Sequence, residues 1–263
     1  MKIALGIEYA GYNYYGWQKQ SIFPTIQETV ESALSDIANE IVNVYCAGRT
    51  DTGVHAIQQV IHFETLSARE PHSWILGANS KLPKDISVIW ALNVDDDFHA
   101  RYAAENRTYQ YLILNRRSRP AILNGLVTWE CQQLDFKKMV EASKCLIGQH
   151  DFTSFRAVSC QAKSPIRIVH KLEINKIEDY FVITICANGF LHHMVRNIAG
   201  ALIAVGIGKE KVNWVADTLD AKNRTEAGVT ATPDGLYLVN ITYPKHYLIP
   251  EPKKLIDNLK FNY

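Results

Sequence analysis

Apolar and polar positions alternate from residue 2 to 9, placing Ile3, Leu5, Ile7 and Tyr9 on one face of a half-buried strand. Thr25-Ile-Gln-Glu28 has the spacing of a capping box, with the threonine hydroxyl and the glutamate answering each other's amides. Ile26, Val30, Ala33, Leu34 and Ile37 then recur at helical spacing, so a helix with one buried stripe follows. Residues 41–46, 58–63 and 86–94 read as strands, and 72–80 as a short helix. Asp135 caps a helix through Ile147, with Phe136, Met139, Val140 and Ile147 inward and Gly148 as its stop. Two strands, 166–174 and 180–187, come next. Residues 188–198 run on as a long apolar helix through about Val205, and 209–219 form a further helix. A last strand alternates over 236–243.

Strands with interspersed helices in both halves predict an α+β protein of two similar-sized lobes, 1–105 and 106–263. Composition agrees: 47% of the 263 residues are hydrophobic and 21% charged, an ordinary globular balance. No apolar run approaches the ~20 residues of a membrane span. Met1-Lys2 leads straight into a strand, so no signal peptide is expected. The cysteines at 46, 131, 145, 160 and 186 are odd in number and lack a C-x-x-C pair, which points to reduced thiols in a cytoplasmic protein. A net charge of +1 argues mildly against a nucleic-acid partner, but net charge says nothing about where the charges lie.

The chemistry concentrates in Ala47-Gly-Arg-Thr-Asp-Thr-Gly-Val-His-Ala56, at a strand end. Asp51 stands between two glycines and two residues from Arg49, which favours its ionised form if they pair. Gly48 and Gly53 permit unusual backbone angles and close approach of a ligand. The motif is either a reactive carboxylate on a loop or a turn braced by a salt bridge. An aspartic-protease reading of Asp51-Thr-Gly53 fails, because a second such carboxylate is missing and the nearby arginine opposes a shared proton. The loop Gly11-Tyr-Asn-Tyr-Tyr-Gly-Trp-Gln18 is dense in rings and amides that either meet bases or pack locally. In Arg107-Thr-Tyr109-Gln-Tyr111 the arginine and both tyrosines share one strand face. They serve a base-and-phosphate ligand, or else the tyrosines belong to the core. Arg116, Arg117 and Arg119 lie on a loop, touching phosphate or simply solvated. Arg196 sits in an apolar helix and needs a partner. His192 and His193 lack metal-site spacing and read as packing or polar contacts. No phosphate-binding, dinucleotide or hydrolase signature is present.

The motif at 47–56 closely resembles the catalytic motif of the tRNA pseudouridine synthase A family, the tRNA pseudouridine(38–40) synthases. Arg107-Thr-Tyr-Gln-Tyr111, His150-Asp-Phe152, Phe190-Leu-His-His-Met-Val-Arg-Asn197 and Gly235-Leu236 match in the same order, so the resemblance covers nearly the whole chain. Ala10 departs from the family's usual aspartate, and Gly228-Val-Thr-Ala-Thr-Pro233 from a more proline-rich loop. The resemblance implies the pseudouridine synthase fold: two α/β lobes sharing a mostly antiparallel central sheet with helices packed on it, and a catalytic cleft between the lobes. It implies isomerisation of uridine 38, 39 or 40 in the tRNA anticodon stem-loop by a homodimer that needs neither cofactor nor metal. Asp51 is then the nucleophile, Arg196 pairs with it, and Arg49 is a second active-site arginine. Tyr109 stacks on the target base and assists proton transfer, while Leu236 closes the pocket. A non-catalytic RNA-binding protein on the same fold is the alternative; it would tolerate loss of Asp51 or Tyr109, and both are present.

Overall fold

A computed structural model describes residues 1–252. In the first part of the chain it shows strand β1 (Lys2–Tyr9), helix α1 (Ile26–Ala38), β2 (Tyr45–Cys46), β3 (His55–Glu64), α2 (Pro71–Lys81) and β4 (Ile86–Val94). Then come β5 (Asn106–Asn115), β6 (Thr128–Glu130), α3 (Phe136–Ser143), β7 (Gly148–Asp151), β8 (Ile166–Ile177), β9 (Tyr180–Ala187), α4 (Met194–Gly206) and α5 (Trp214–Ala221). The last strand is β10 (Leu236–Thr242). Strands and helices are interspersed throughout, so the protein is α+β. It divides into two compact units, one of Met1–Arg107 with Tyr237–Tyr263, the other of Thr108–Leu236.

In the first unit the strand order is β4-β1-β3-β10, with β2 also on β3. Pairing is antiparallel except between β3 and β10, where Tyr237 lies opposite His55. The inward face of β1 carries Ile3, Leu5 and Ile7, which are wholly buried, and α1 covers the core with Ile26, Val30 and Leu34. Within the second unit the order is β5-β9-β8-β7, with β6 parallel to β5. Helix α4 buries Met194, Ile198, Leu202 and Val205 in that unit's core.

Where the elements depart from the hydrophobic pattern, polar side chains and strained backbone are the reason. Residues 41–44 do not form a ladder, because Ser35 Oγ takes the Val42 amide at 2.9 Å and Glu31 Oε1 takes that of Val44 at 3.1 Å. The capping box at Thr25 is not formed. The amides of Ile26 and Gln27 reach the carbonyls of Gly16 and Trp17 instead, at 3.1 and 3.0 Å. Asp135 does cap α3, accepting from the Lys138 amide at 3.1 Å, but the helix ends at Ser143 and Ile147 is exposed. His193 is left-handed (φ 61°), which delays α4 to Met194. Gly208 (φ 79°) likewise folds the chain back after α4, and α5 starts only at Trp214.

Candidate active site

In the first unit, the chain leaves β2 at Cys46 and re-enters the sheet at His55, so the motif is a connection anchored at both ends. Between them it folds into a turn closed by the Val54 amide donating to the Asp51 carbonyl at 3.1 Å. Gly53 supplies the positive φ of 78° that this turn requires. Gly48 does not adopt a positive φ, and a Cβ there would meet nothing within 4 Å. Of the two roles open to Gly48 in the sequence, only an unobstructed approach to the backbone survives.

The loop over residues 10–17 fastens this turn from one side. Tyr9 Oη and Thr50 Oγ1 share a hydrogen bond of 2.8 Å, and the Trp17 amide donates to the Thr50 carbonyl at 2.9 Å. The Gly53 amide donates to the Tyr14 carbonyl at 3.3 Å, and the Gly11 amide to His55 Nδ1 at 3.0 Å. The approach is close enough that a Cβ on Gly11 would lie 2.0 Å from the Val54 oxygen, and one on Gly16 2.7 Å from that of Thr50. Tyr14 and Trp17 are therefore buried packing groups, while Tyr12 and Tyr15 are exposed. His55 is also structural: it is buried and its ring stacks on Tyr237 at 4.6 Å. From below, Gln59 Nε2 donates to the Gly48 carbonyl at 2.5 Å. On this turn Asp51 is half-buried and Arg49 exposed. A carboxylate held on so many backbone bonds needs little reorganisation to react.

The three residues expected on one face of β5 have separate roles. Arg107 belongs to the first unit and spends its guanidinium on carbonyls: Ala47 at 3.0 Å, Arg101 at 2.7 Å and Ala104 at 3.0 Å. It is a brace for the motif rather than a phosphate ligand. Tyr111 is core. Its buried hydroxyl bonds Thr128 Oγ1 at 2.6 Å and the Thr232 carbonyl at 2.8 Å, and burial pushes its pKa up to about 12. Tyr109 differs: its ring stands edge-on to Phe190, 5.0 Å between centroids. Phe190 is thus one packing neighbour of this ring within the second unit. Leu236, also of that unit, is buried, and its amide donates to the Pro233 carbonyl at 2.8 Å.

Arg196, on the first turn of α4, is clasped by the loop that follows α5. Its Nε donates to the Ala231 carbonyl at 2.8 Å, and its own carbonyl accepts from the Ala231 amide at 3.2 Å. One turn on, Gly200 lets this loop pass: a Cβ there would lie 2.1 Å from the Val229 oxygen. Beside the arginine, Asn197 is completely buried. Its amide donates to the Phe155 carbonyl at 2.7 Å, and its oxygen accepts from Thr230 Oγ1 at 2.7 Å and Arg224 Nη2 at 3.1 Å. Sequence reasoning missed Asn197, Gly200, Arg224 and Thr230 as supports of Arg196. Their one visible signal was a polar pair, Arg196-Asn197, on an otherwise apolar helix. His192 accepts or donates through Nδ1 to Ser159 Oγ at 3.3 Å, a polar contact as expected.

A family model described as tRNA pseudouridine synthase matches residues 6–103 and 142–244. Among curated relatives, a tRNA pseudouridine synthase A of Nitrosococcus oceani is 54% identical over 250 residues, covering 95% of this chain and 96% of the relative. Proteins of the same name from Shewanella loihica and Legionella pneumophila are 51% and 53% identical over 251 and 247 residues. These alignments cover 95% and 94% of this chain, and 96% and 94% of the relatives.

Proposed function

The chain belongs to the tRNA pseudouridine synthase family, and on that premise we propose that it isomerises uridine 38, 39 or 40 in the tRNA anticodon stem-loop with Asp51 as the nucleophile. Conversion of uridine to pseudouridine in tRNA is the family's reaction, and the chain performs it as an isomerase. The observation that carries the role of Asp51 is its turn, pinned by Thr50, Gly53 and His55 to the neighbouring loop.

The reaction is an isomerisation with no net change in composition, since one proton is given up and one taken back. The C1′–N1 bond breaks, the detached base turns, a C1′–C5 bond forms, the C5 proton leaves and N1 takes one up. One ionised carboxylate suffices to open and close this sequence covalently. By the motif resemblance, Arg196 is the cation that pairs with Asp51. Tyr109 stacks on the target base and assists removal of the C5 proton. Leu236 closes the pocket as an apolar wall, and Arg49 is exposed for contact with RNA. Extracting the base from its stack costs on the order of a few kcal/mol, which contacts elsewhere on the tRNA offset. By the same resemblance the protein acts as a homodimer, with basic groups from both subunits available for phosphate contacts. Among the described residues no helix is long and apolar enough to cross a membrane, and the proposed location is the cytoplasm, where the tRNA substrate resides.

Unmodified tRNA transcripts treated with the purified protein and mapped for pseudouridine test this reading. Modification confined to positions 38–40 is expected. Pseudouridine at other positions, or at none, overturns it.

A further inference from the structure

We infer that Tyr45, His99, Arg101 and Tyr102 form a second RNA-binding surface on the first unit, stacking on an unpaired base and pairing with its phosphate away from the target uridine. The inference rests on the chain's acting on tRNA and goes beyond the residues assigned to the reaction.

The surface is built on Phe98, which is buried against Tyr243 and Tyr247 at 5.4 and 5.1 Å. Past it the chain turns around the His99 ring, whose Nδ1 accepts from the amides of Arg101 and Tyr102 at 3.1 and 3.4 Å. The Tyr102 ring lies against His99 at 4.3 Å. His99 meets His62 edge-on at 4.6 Å, and Tyr45 stacks on His62 at 5.1 Å with 23° between planes. His62 is fixed by the Ala100 amide, which donates to its Nδ1 at 3.1 Å. Four rings thus stand in contact, with backbone bonds holding the two central ones. The outer two face solvent: Tyr45 is 56% exposed and Tyr102 76%.

So much ordered aromatic surface in water gains nothing for the fold. It lowers the entropy cost of stacking on a ligand instead. Burial is the first cause holding both imidazoles below their ordinary pKa, and the charge of Lys2 adds to it, so these rings are neutral at pH 7. Lys2 is itself largely covered and paired with Glu64, which leaves Arg101 as the exposed cation beside the outer rings. Its guanidinium lies 5.6 Å from the Tyr102 centroid and stays exposed. A cation beside exposed ring faces is the pairing that single-stranded nucleic acid uses, phosphate on the one and base on the other.

The surface is continuous with the catalytic turn. Arg107 grips the carbonyl of Arg101 and that of Ala47 with one nitrogen, joining this turn to the start of the Asp51 motif. The charges of Arg49 and Arg101 both act on the Cys46 thiol, which burial pushes up to about 12. The segment just before Phe98 is acidic, at Asp95, Asp96 and Asp97, where Asp97 takes the Tyr247 hydroxyl at 3.3 Å and Lys2 bonds the Asp96 carbonyl. An RNA strand therefore follows the Arg101–Arg49 side. A second protein chain is the other class of occupant for exposed tyrosines and an arginine; the two exposed arginines, Arg101 and Arg49, both close enough to act on Cys46, favour RNA.

The test measures tRNA affinity, its salt dependence and steady-state kinetics with Tyr45→Ala/Tyr102→Ala and Arg101→Ala in the full-length protein. The tyrosine pair is expected to weaken binding roughly tenfold or more, a loss of stacking read in KM rather than kcat. Arg101→Ala should reduce the slope of log Kd against log salt by about one phosphate contact. Affinity within twofold of wild type with an unchanged slope overturns the inference, and so does a changed sedimentation coefficient with intact tRNA affinity, which would make this a protein interface. Wild-type protein is assayed alongside on the same tRNA. Absence of pseudouridine there would refute the proposed function itself, a failure distinct from that of this surface.

Discussion

Replacing Gly11 by alanine tests whether the aromatic loop positions Asp51. The new Cβ would lie 2.0 Å from the Val54 oxygen, 2.7 Å from the Val54 carbonyl carbon and 3.2 Å from that of Gly53. Real Cβ atoms almost never come within 3.0 Å of another heavy atom, so the Val54 oxygen must retreat by about 1 Å. Both sides of the clash are backbone, so no side-chain rotation relieves it. The Val54 amide closes the Asp51 turn and the Gly53 amide fastens it to the Tyr14 carbonyl, so the displacement is passed to the carboxylate. A misplacement of ~1 Å costs on the order of 100-fold in rate, and the crowding costs about 1–3 kcal/mol of stability. Gly48→Ala is the matched control. Its Cβ meets nothing within 4 Å and its backbone needs no positive φ, so stability should change by less than about 0.5 kcal/mol. The assay is turnover on saturating tRNA, with thermal unfolding of each variant. Gly11→Ala turning over within a few-fold of wild type, at an unchanged unfolding midpoint, would refute the idea that this loop holds the turn.

Three further outcomes are expected. Arg107→Ala removes charged hydrogen bonds to three carbonyls and should cost about 3 kcal/mol in urea unfolding; Arg107→Lys should recover only part, because an ammonium cannot span all three. A lysine variant as stable as wild type would contradict this bracing role. Asn197→Ala leaves the buried Phe155 carbonyl without its side-chain donor and Thr230 held by Arg224 alone, so about 1–3 kcal/mol should be lost, with a lower kcat as the loop clasping Arg196 loosens; a stability loss with unchanged kcat would detach Asn197 from Arg196. Burial, then the charges of His99 and Lys2, hold His62 down at about 4. Between pH 4 and about 6.5 the unfolded chain binds more protons than the folded one, so stability should rise with pH through that window. After allowance for solvent screening the gain is about 1–3 kcal/mol, read as the difference between wild type and His62→Gln, and equal slopes would exclude it.

The hydrophobic pattern carried those elements whose backbone pairs with backbone. β1, β4 and the β8–β9 pair are legible because alternation is all they need. The pattern failed where a side chain or a strained residue took over. Ser35 and Glu31 occupy the amides of 42 and 44, and no periodicity in 41–46 could reveal that. His193 delays α4 by adopting a left-handed angle that its apolar surroundings do not announce. The site divides in the same way. The motif around Asp51 and the isolated charge of Arg196 stand out as residue types in improbable places. Arg107 and Tyr111 share a strand face with Tyr109, yet their polar atoms are used by carbonyls and threonines distant in sequence. Only the fold separates those two structural residues from Tyr109.

The central claim is that Asp51 is the nucleophile of a uridine isomerase. Tritium release from C5-labelled uridine in tRNA, comparing wild type with Asp51→Asn, tests it most directly. Wild type should release label from the anticodon arm, and Asp51→Asn should release none while still binding tRNA. Near-normal release by Asp51→Asn would contradict the account.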